Sequence, residues 1–298
     1  MALLNFFKAK PVKKELSFSE PIFVKENLSL PRQIKQLETL KDLVIPDQVS
    51  EIEQDIKKLS SGLTGEKNVA YELKNSYLPL LILQDIYLKN DDANAQIDFI
   101  VIASFGIFVI ECKKFIDDIE ITNKGDFNRC FKTPTGIIYK KEGIYNPVTQ
   151  NRHHSEMLKK LLLAQIPTLN TQNLDVLMHA IVVFANPKTV IRDTEAPNEI
   201  KESIIKHDQL TSYLKGFQNQ NPNVFLSEEE MRKISDFLLE GNIEKPTQFF
   251  KKYRFKVPVC PKCDVPMVKR IAKRGMNQGK EFWGCPNYPR CKQIVNID

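Results

Sequence analysis

No stretch of this 298-residue chain is apolar for long enough to cross a bilayer as a helix. The longest apolar run, Phe99 to Ile110, falls short of the about 20 residues that such a span needs. The first residues, MALLNFFKAKP, lack the long apolar core of a secretory leader. A cytoplasmic protein without membrane contact is therefore expected. Cysteine is sparse over most of the chain: only Cys112 and Cys130 precede the four in the tail. These two call for no disulfide and fit a reducing compartment. What is present, 42% hydrophobic and 27% charged residues, is the make-up of a globular protein with a buried core. The length allows one large domain or two unequal ones. The net charge of +6 is unevenly placed. Residues 245–298 hold 13 Lys and Arg against 3 Asp and Glu, a balance of +10, and the remainder, 30 against 34, stands at −4. A basic tail on a mildly acidic body points to a polyanionic partner for the tail.

The chemistry-bearing stretch is Ile97 to Lys114, IDFIVIASFGIFVIECKK. Two apolar, β-branched runs flank a short Ser104-Phe105-Gly106 break and predict a β-hairpin at the centre of a buried sheet. Asp98 opens the first run, while Glu111 and Lys113 close the second. Side chains alternate along a strand, so Glu111 and Lys113 point one way and Cys112 the other. A Ser104-Phe105 loop sets Asp98 opposite Glu111, and a Phe105-Gly106 loop sets it opposite Lys113. In either register the three polar groups share a face. A single carboxylate there would read as the partner of a structural ion pair. Two carboxylates and a lysine converging on an apolar hairpin are costly to bury without a further partner, and a divalent cation is the natural one.

Upstream, residues 1–30 carry scattered aromatics (Phe6, Phe7, Phe18, Phe23) with no period, as an arm packed on the body would. Pro31 to Leu59 has helical spacing, broken into two helices at Ile45-Pro46-Asp47. These first 60 residues are the expected place for a contact with a partner protein. Gly62 to Glu66 is expected to open a further helix, with Thr64 as N-cap. Glu66 shares its stripe with Val69, Ala70, Leu73 and Tyr77. A glutamate at this point can simply complement the helix dipole, but its alignment with the core stripe points to a site.

Downstream, Leu80 to Leu88 predicts a strand, Asp91 to Asn94 a turn, and Ile119 to Thr122 and Gly136 to Tyr139 short strands of the same meander. Asn146-Pro147 starts a long helix with Gln150, His154, Met157, Leu158 and Leu161 on one face. The Gln150 amide on that buried face needs partners. His154 reads as a satisfied core histidine or a surface one, and His153 as a surface one. Leu177 to Ala185 predicts a buried strand. Asp208 to Phe217 and Ser227 to Leu239 predict helices, the second with a Ser227/Glu230 capping box and a Gly241 stop.

Four blocks in order, Gly65-Glu66, Ile97-Asp98-Phe99, Ile110-Glu111-Cys112-Lys113 and Asn146-Pro147-Val148-Thr149-Gln150, resemble the NERD (nuclease-related) domain, a branch of the PD-(D/E)xK nuclease superfamily. The resemblance runs from Gly62 to Phe217. It implies a restriction-endonuclease-like α/β fold, a mixed sheet flanked by helices. It implies Glu66, Asp98 and Glu111 as ligands of Mg²⁺ or Mn²⁺, Lys113 beside the attacking water, and Gln150 on the following helix. Cys112 fills the variable position within Glu-x-Lys. Elementary chemistry agrees, because hard oxygen ligands favour those ions. A bound ion lowers the pKa of water, and a lysine orients that water or stabilises developing negative charge.

The tail carries Cys260-x2-Cys263 and, after a gap of 21 residues, Cys285-x5-Cys291. Four thiolates at this spacing predict a closed tetrahedral zinc site, which supplies the folding energy that so small and polar a segment lacks. Met267, Gly279, Phe282-Trp283-Gly284 and Tyr288-Pro289 complete a pattern that closely resembles the C-terminal zinc ribbon of bacterial type IA topoisomerases, over Val257 to Ile294. That resemblance implies binding of single-stranded DNA. The residues suit it: Phe282, Trp283 and Tyr288 to stack bases, among Lys269, Arg270, Lys273, Arg274, Lys280 and Arg290. Alternatively, Phe282 and Trp283 form the ribbon's small core and the charges are solvated.

The chain is thus expected to comprise an arm and helices at 1–61, a nuclease-like domain at 62–244, a basic aromatic linker at 245–256 and a zinc ribbon at 257–298. The expected function is Mg²⁺-dependent endonucleolytic hydrolysis of DNA, the ribbon holding single-stranded or forked regions. The alternatives are a non-catalytic DNA-binding or scaffold protein, with the carboxylates in a structural ion pair, and a nuclease acting on RNA.

Overall fold

The computed structural model describes residues 15–27, 29–89, 94–218, 225–244 and 249–297, without the side chains of residues 250 and 251. Phe6, Phe7 and most of the expected turn, Asp91 to Ala93, lie outside those residues. In chain order the elements are β1 (Ile22–Lys25), α1 (Ser29–Lys41), α2 (Val49–Lys74), β2 (Leu81–Lys89), β3 (Asn94–Ala103), β4 (Gly106–Lys113), β5 (Asp118–Ile121), β6 (Phe127–Lys132) and β7 (Ile138–Ile144). There follow α3 (Pro147–Gln165), α4 (Thr171–Leu177), β8 (Met178–Phe184), β9 (Ile191–Arg192), α5 (Asn198–Glu202), β10 (Ile204–Lys206), α6 (Leu210–Phe217) and α7 (Glu228–Glu240). The tail holds α8 (Phe249–Lys252), β11 (Val268–Ile271), β12 (Glu281–Gly284) and β13 (Ile294–Asn296).

The chain forms two compact units, one from Met1–Leu28 and Gly62–Glu244, the other from Ser29–Ser61 and Lys245–Asp298. The first is a mixed α/β unit. Its six-stranded sheet has the order β1-β2-β3-β4-β8-β10. β2, β3 and β4 are antiparallel, whereas β1, β8 and β10 each run parallel to a neighbour. The β3–β4 hairpin is central and apolar on both faces, as a sheet covered by helices on both sides must be. On one face Ile100, Ile102, Ile107 and Val109 pack with Leu158 and Leu162 of α3 and Met231, Ile234 and Leu238 of α7. On the other, Phe99, Val101, Phe108 and Ile110 pack with Val69 and Leu73 of α2 and Leu210 and Leu214 of α6.

Several expectations change. The helix at Glu66 does not begin at Thr64: α2 runs unbroken for 26 residues from Val49 through Gly62 and Gly65. Glycine weakens a helix by about 1 kcal/mol, but packing of the flanking apolar positions outweighs that here. Residues 118–144 do not extend the main meander. They supply three strands, with the unanticipated β6 among them, of a separate four-stranded sheet, β7-β6-β5-β9, which β9 completes. In β6 only Phe127 and Cys130 are buried, too few for a period to show in the sequence. The N-terminal segment is not only an arm, because β1 adds a strand beside β2, with Ile22 opposite Leu81 and Phe23 opposite Ile82.

The second unit has two cores. Leu37 and Leu40 of α1, Val44, and Ile52 of α2 enclose Tyr253, whose hydroxyl donates to Asp55. The ribbon is a three-stranded antiparallel sheet, β11-β12-β13, folded over the four cysteines, Met267, Val265, Trp283 and Val295.

Candidate functional site

The hairpin turns at Ser104-Phe105, with Ala103 opposite Gly106 and Phe99 opposite Ile110. Of the two registers left open by the sequence, this is the one that brings Asp98 to the level of Glu111. Glu111 is buried, its side chain only 5% exposed, on the face covered by α3. Its Oε1 accepts hydrogen bonds from Lys113 Nζ at 2.6 Å and Gln150 Nε2 at 2.9 Å, and Gln150 Oε1 accepts from Lys113 Nζ at 3.3 Å. The three side chains form a closed triangle. Glu111 Oε2 has no hydrogen-bond partner among the described residues, and neither has His154 Nδ1, 3.6 Å from it.

Gln150 is placed by the first turn of α3. Asn146 caps this helix, its side chain accepting from the N–H groups of Val148 and Thr149 at 2.8 and 3.1 Å, and Pro147 takes the first helical position. Asn151 then donates to the carbonyls of Val109 and Ile181, at 2.9 and 2.8 Å, and ties the turn across β4 and β8.

Asp98 sits where β2 and β3 break step together. Leu81 and Leu83 of β2 share a core with Ile86 and Leu88, and Ala95 and Ile97 of β3 share it with Ile100 and Ile102. Strict alternation would not allow this, so both strands change face between those pairs, at Asp85 and Asp98. Asp85 has φ +51°, the left-handed region that aspartate tolerates better than most residues. Asp98 Oδ2 accepts from the Cys112 N–H at 2.7 Å.

Glu66 is brought in by α2 through a close approach at Gly65. A Cβ there would stand 2.9 Å from Lys114 Cβ and 3.3 Å from Ala185 Cβ. Asn68 donates to the Ala185 carbonyl at 2.9 Å and holds the same contact. Glu66 Oε2 accepts from Asn27 Nδ2.

Electrostatics follow from this crowding. Burial raises the Glu66 carboxyl to about 7, helped by the charges of Asp85 and Glu111 and opposed by the Asn27 hydrogen bond and Lys25. Burial likewise holds Asp98 well above the usual carboxylate range, with Glu111 and Glu66 adding to the shift. Burial lowers the His154 imidazole, which favours its neutral form. The donors are hard oxygens and one, Glu111 Oε2, is buried without a hydrogen-bond partner among the described residues, so their chemistry fits Mg²⁺ or Mn²⁺. Among the described residues, however, only the four cysteines bring three or more potential ligand atoms within 4.8 Å of one another. Glu66, Asp98 and Glu111 do not close to that distance.

The sequence places His154 on the face of Gln150 but reads it as a satisfied core histidine or a surface one; one turn after Gln150, it stands 3.6 Å from Glu111 Oε2. Asn27 lies 39 residues before Glu66, and no local pattern reports it.

In the ribbon, Cys260, Cys263, Cys285 and Cys291 are positioned to bind zinc. The Cys260 and Cys291 sulfurs are 3.8 Å apart. Four sulfurs about 2.3 Å from one zinc ion stand about 3.8 Å apart in a tetrahedron. Backbone N–H groups of Lys262 and Cys263 point at the Cys260 sulfur. Of the three aromatics, Trp283 packs against the cysteine cluster. Tyr288 is 60% exposed, with the Arg270 guanidinium 5.6 Å from its ring centre. It lines a shallow groove with Phe282, Arg270, Lys269 and Lys273. Arg274, Lys280 and Arg290 are exposed.

Residues 61–185 match the family model described as the nuclease-related domain, NERD, and residues 257–298 that of the topoisomerase DNA binding C4 zinc finger. An uncharacterised protein of Bacillus anthracis is 25% identical over 158 residues, covering 53% of this chain and 64% of that protein. The chain thus spans less than two thirds of this relative's length. No solved structure matches it. Residues 61–185 are a nuclease-related domain and residues 257–298 a topoisomerase-type C4 zinc ribbon, the two modules that this chain joins.

Proposed function

We propose that the chain is a metal-dependent DNA nuclease whose ribbon holds single-stranded or forked DNA. The observation that carries this reading is Glu111. One of its oxygens is fixed by Lys113 and Gln150, and the other is buried without a hydrogen-bond partner among the described residues. A purely structural carboxylate would satisfy both. Asp98, Glu111 and Glu66 would hold Mg²⁺ or Mn²⁺, which when bound acidifies a water molecule and offsets charge on the phosphate. Asp98 is fixed for this by the Cys112 N–H, and Glu111 by Gln150. Lys113 keeps its ammonium between Glu111 and Gln150. From there it orients the attacking water and stabilises charge on a phosphate oxygen. In the ribbon, Tyr288 and Phe282 stack bases while Arg270 and Lys273 meet phosphates. Trp283 supports that surface from the core.

A second reading, a DNA-binding protein without catalysis, draws on the 2.6 Å ion pair of Lys113 with Glu111 and on carboxylates that stand apart. Incubating the full chain with single-stranded, duplex and forked DNA and with RNA, each with Mg²⁺, Mn²⁺ or no added ion, separates the two. Metal-dependent cleavage that disappears in Asp98→Ala and Glu111→Ala is expected. Cleavage undiminished in those variants would refute this site. DNA binding without cleavage under every ion would establish the second reading.

A further inference from the structure

We propose that the N-terminal strand completes the nuclease site, with Asn27 as the residue that positions Glu66. This rests on the nuclease reading above. Asn27 lies outside the matched residues 61–185, yet its side chain makes the one hydrogen bond that the Glu66 carboxylate has among the described residues. Glu66 Oε2 is thereby fixed, and Oε1 is left for an ion.

The strand is built to hold Asn27 there. β1 runs parallel to β2, with a register shift between Phe23 and Lys25. Lys25 Nζ donates to the carbonyls of Gln84 and Asp85, at 2.7 and 2.6 Å. These residues stand where β2 changes face, so the lysine fastens β1 to the irregular point of the sheet. The Asn27 N–H donates to Gln84 Oε1 at 3.1 Å. The Gln84 side chain is buried and fixes the backbone of Asn27, so its amide has a defined direction. Glu66 itself is long and flexible, and a glutamate held at one oxygen loses less freedom on binding an ion.

The test uses the full chain and Mn²⁺ alone as probe. Asn27→Leu keeps the volume and the backbone N–H but removes the side-chain donor. Free Mn²⁺ is titrated by electron paramagnetic resonance, beside thermal melts and cleavage at limiting and saturating Mn²⁺. Mn²⁺ affinity is expected to fall about 10-fold or more. Cleavage should recover at saturating ion, and Asn27→Gln, which restores a donor, should regain part of the affinity. Asn27→Ala replaces the leucine variant if that does not fold. Wild-type Mn²⁺ affinity in a folded donor-less variant would overturn the role of Asn27. A wild-type chain whose Mn²⁺ binding is unaffected by Asp98→Ala would instead overturn the nuclease reading on which the proposal stands.

Discussion

Replacing Glu66 by glutamine should stabilise the metal-free protein at high pH and leave it nearly unchanged at low pH. The carboxyl is raised from 4.5 to about 7, chiefly by burial. Below pH 4.5 both folded and unfolded chains hold the proton, and the group contributes no pH dependence. Between 4.5 and about 7 the folded state keeps a proton that the unfolded chain releases, so stability falls as pH rises. Above about 7 the penalty is constant. At 1.4 kcal/mol per pH unit it amounts to roughly 3 kcal/mol. Glutamine removes the charge and keeps an oxygen for Asn27. At pH 8 the variant should therefore be more stable by about 2–3 kcal/mol, and at pH 4.5 by less than about 1 kcal/mol. Urea unfolding over this range measures the difference, in buffers free of added Mg²⁺ and Mn²⁺ but without a chelator, which would strip the ribbon. The single tryptophan, Trp283, reports only on the ribbon. The unfolding must instead be followed by circular dichroism or by hydrogen exchange in β3 and β4. A stability difference equal at pH 4.5 and 8 would refute the reasoning.

Three further outcomes are expected. Gly65→Ala should cost about 1–3 kcal/mol by overpacking and reduce cleavage, because a Cβ would push α2 off Lys114 and Ala185. Gly216→Ala, with no described residue within 4 Å of an added Cβ, should be neutral or slightly stabilising in thermal melts. Elemental analysis should find about one zinc per chain. Cys285→Ser should lose that zinc and the exchange protection of the ribbon while β3 and β4 stay protected. Tyr288→Ala should weaken single-stranded DNA binding by about 1–3 kcal/mol in anisotropy titrations with zinc content unchanged. Trp283→Ala should instead lower zinc retention, because that ring packs against the cysteines.

Much of the first unit was legible because its signals are local. The hairpin break at Ser104 to Gly106, the Asn146 cap with Pro147, and the Ser227/Glu230 capping box are set by neighbours in sequence and stand where expected, although the choice of Ser104-Phe105 over Phe105-Gly106 as the loop was open. The family blocks rest on equally short patterns. What was not legible depends on distant partners. Thr64 read as a helix start because serine and glycine around it weaken a helix locally, but α2 passes through. The strand change at Asp85 and Asp98 belongs to two strands at once, so neither sequence shows it alone. Asn27 meets Glu66 only because β1 pairs with β2. The sequence leaves Trp283 open between base stacking and the ribbon's small core, and the strand register turns it toward the cysteines.

The two metal-ligand sets differ in a way that follows from their charge. Neutral thiols are small apolar groups, so four of them pack as a core with Met267 and Trp283 at ion-binding spacing. Carboxylates do the opposite. Burial raises Glu66 and Asp98, the charge of Glu111 adds to both shifts, and a nearby cation would oppose them. Glu66, raised to about 7, is partly protonated near neutral pH, and burial holds Asp98 well above the usual carboxylate range. The ribbon cysteines are therefore arranged by packing, whereas the carboxylates are arranged by hydrogen bonds from Asn27, the Cys112 N–H and Gln150. A metal ion held by these carboxylates, as proposed, would be taken up with release of protons, so Mn²⁺ affinity is expected to rise with pH through about 7, and an affinity independent of pH in a Mn²⁺ titration would count against that site.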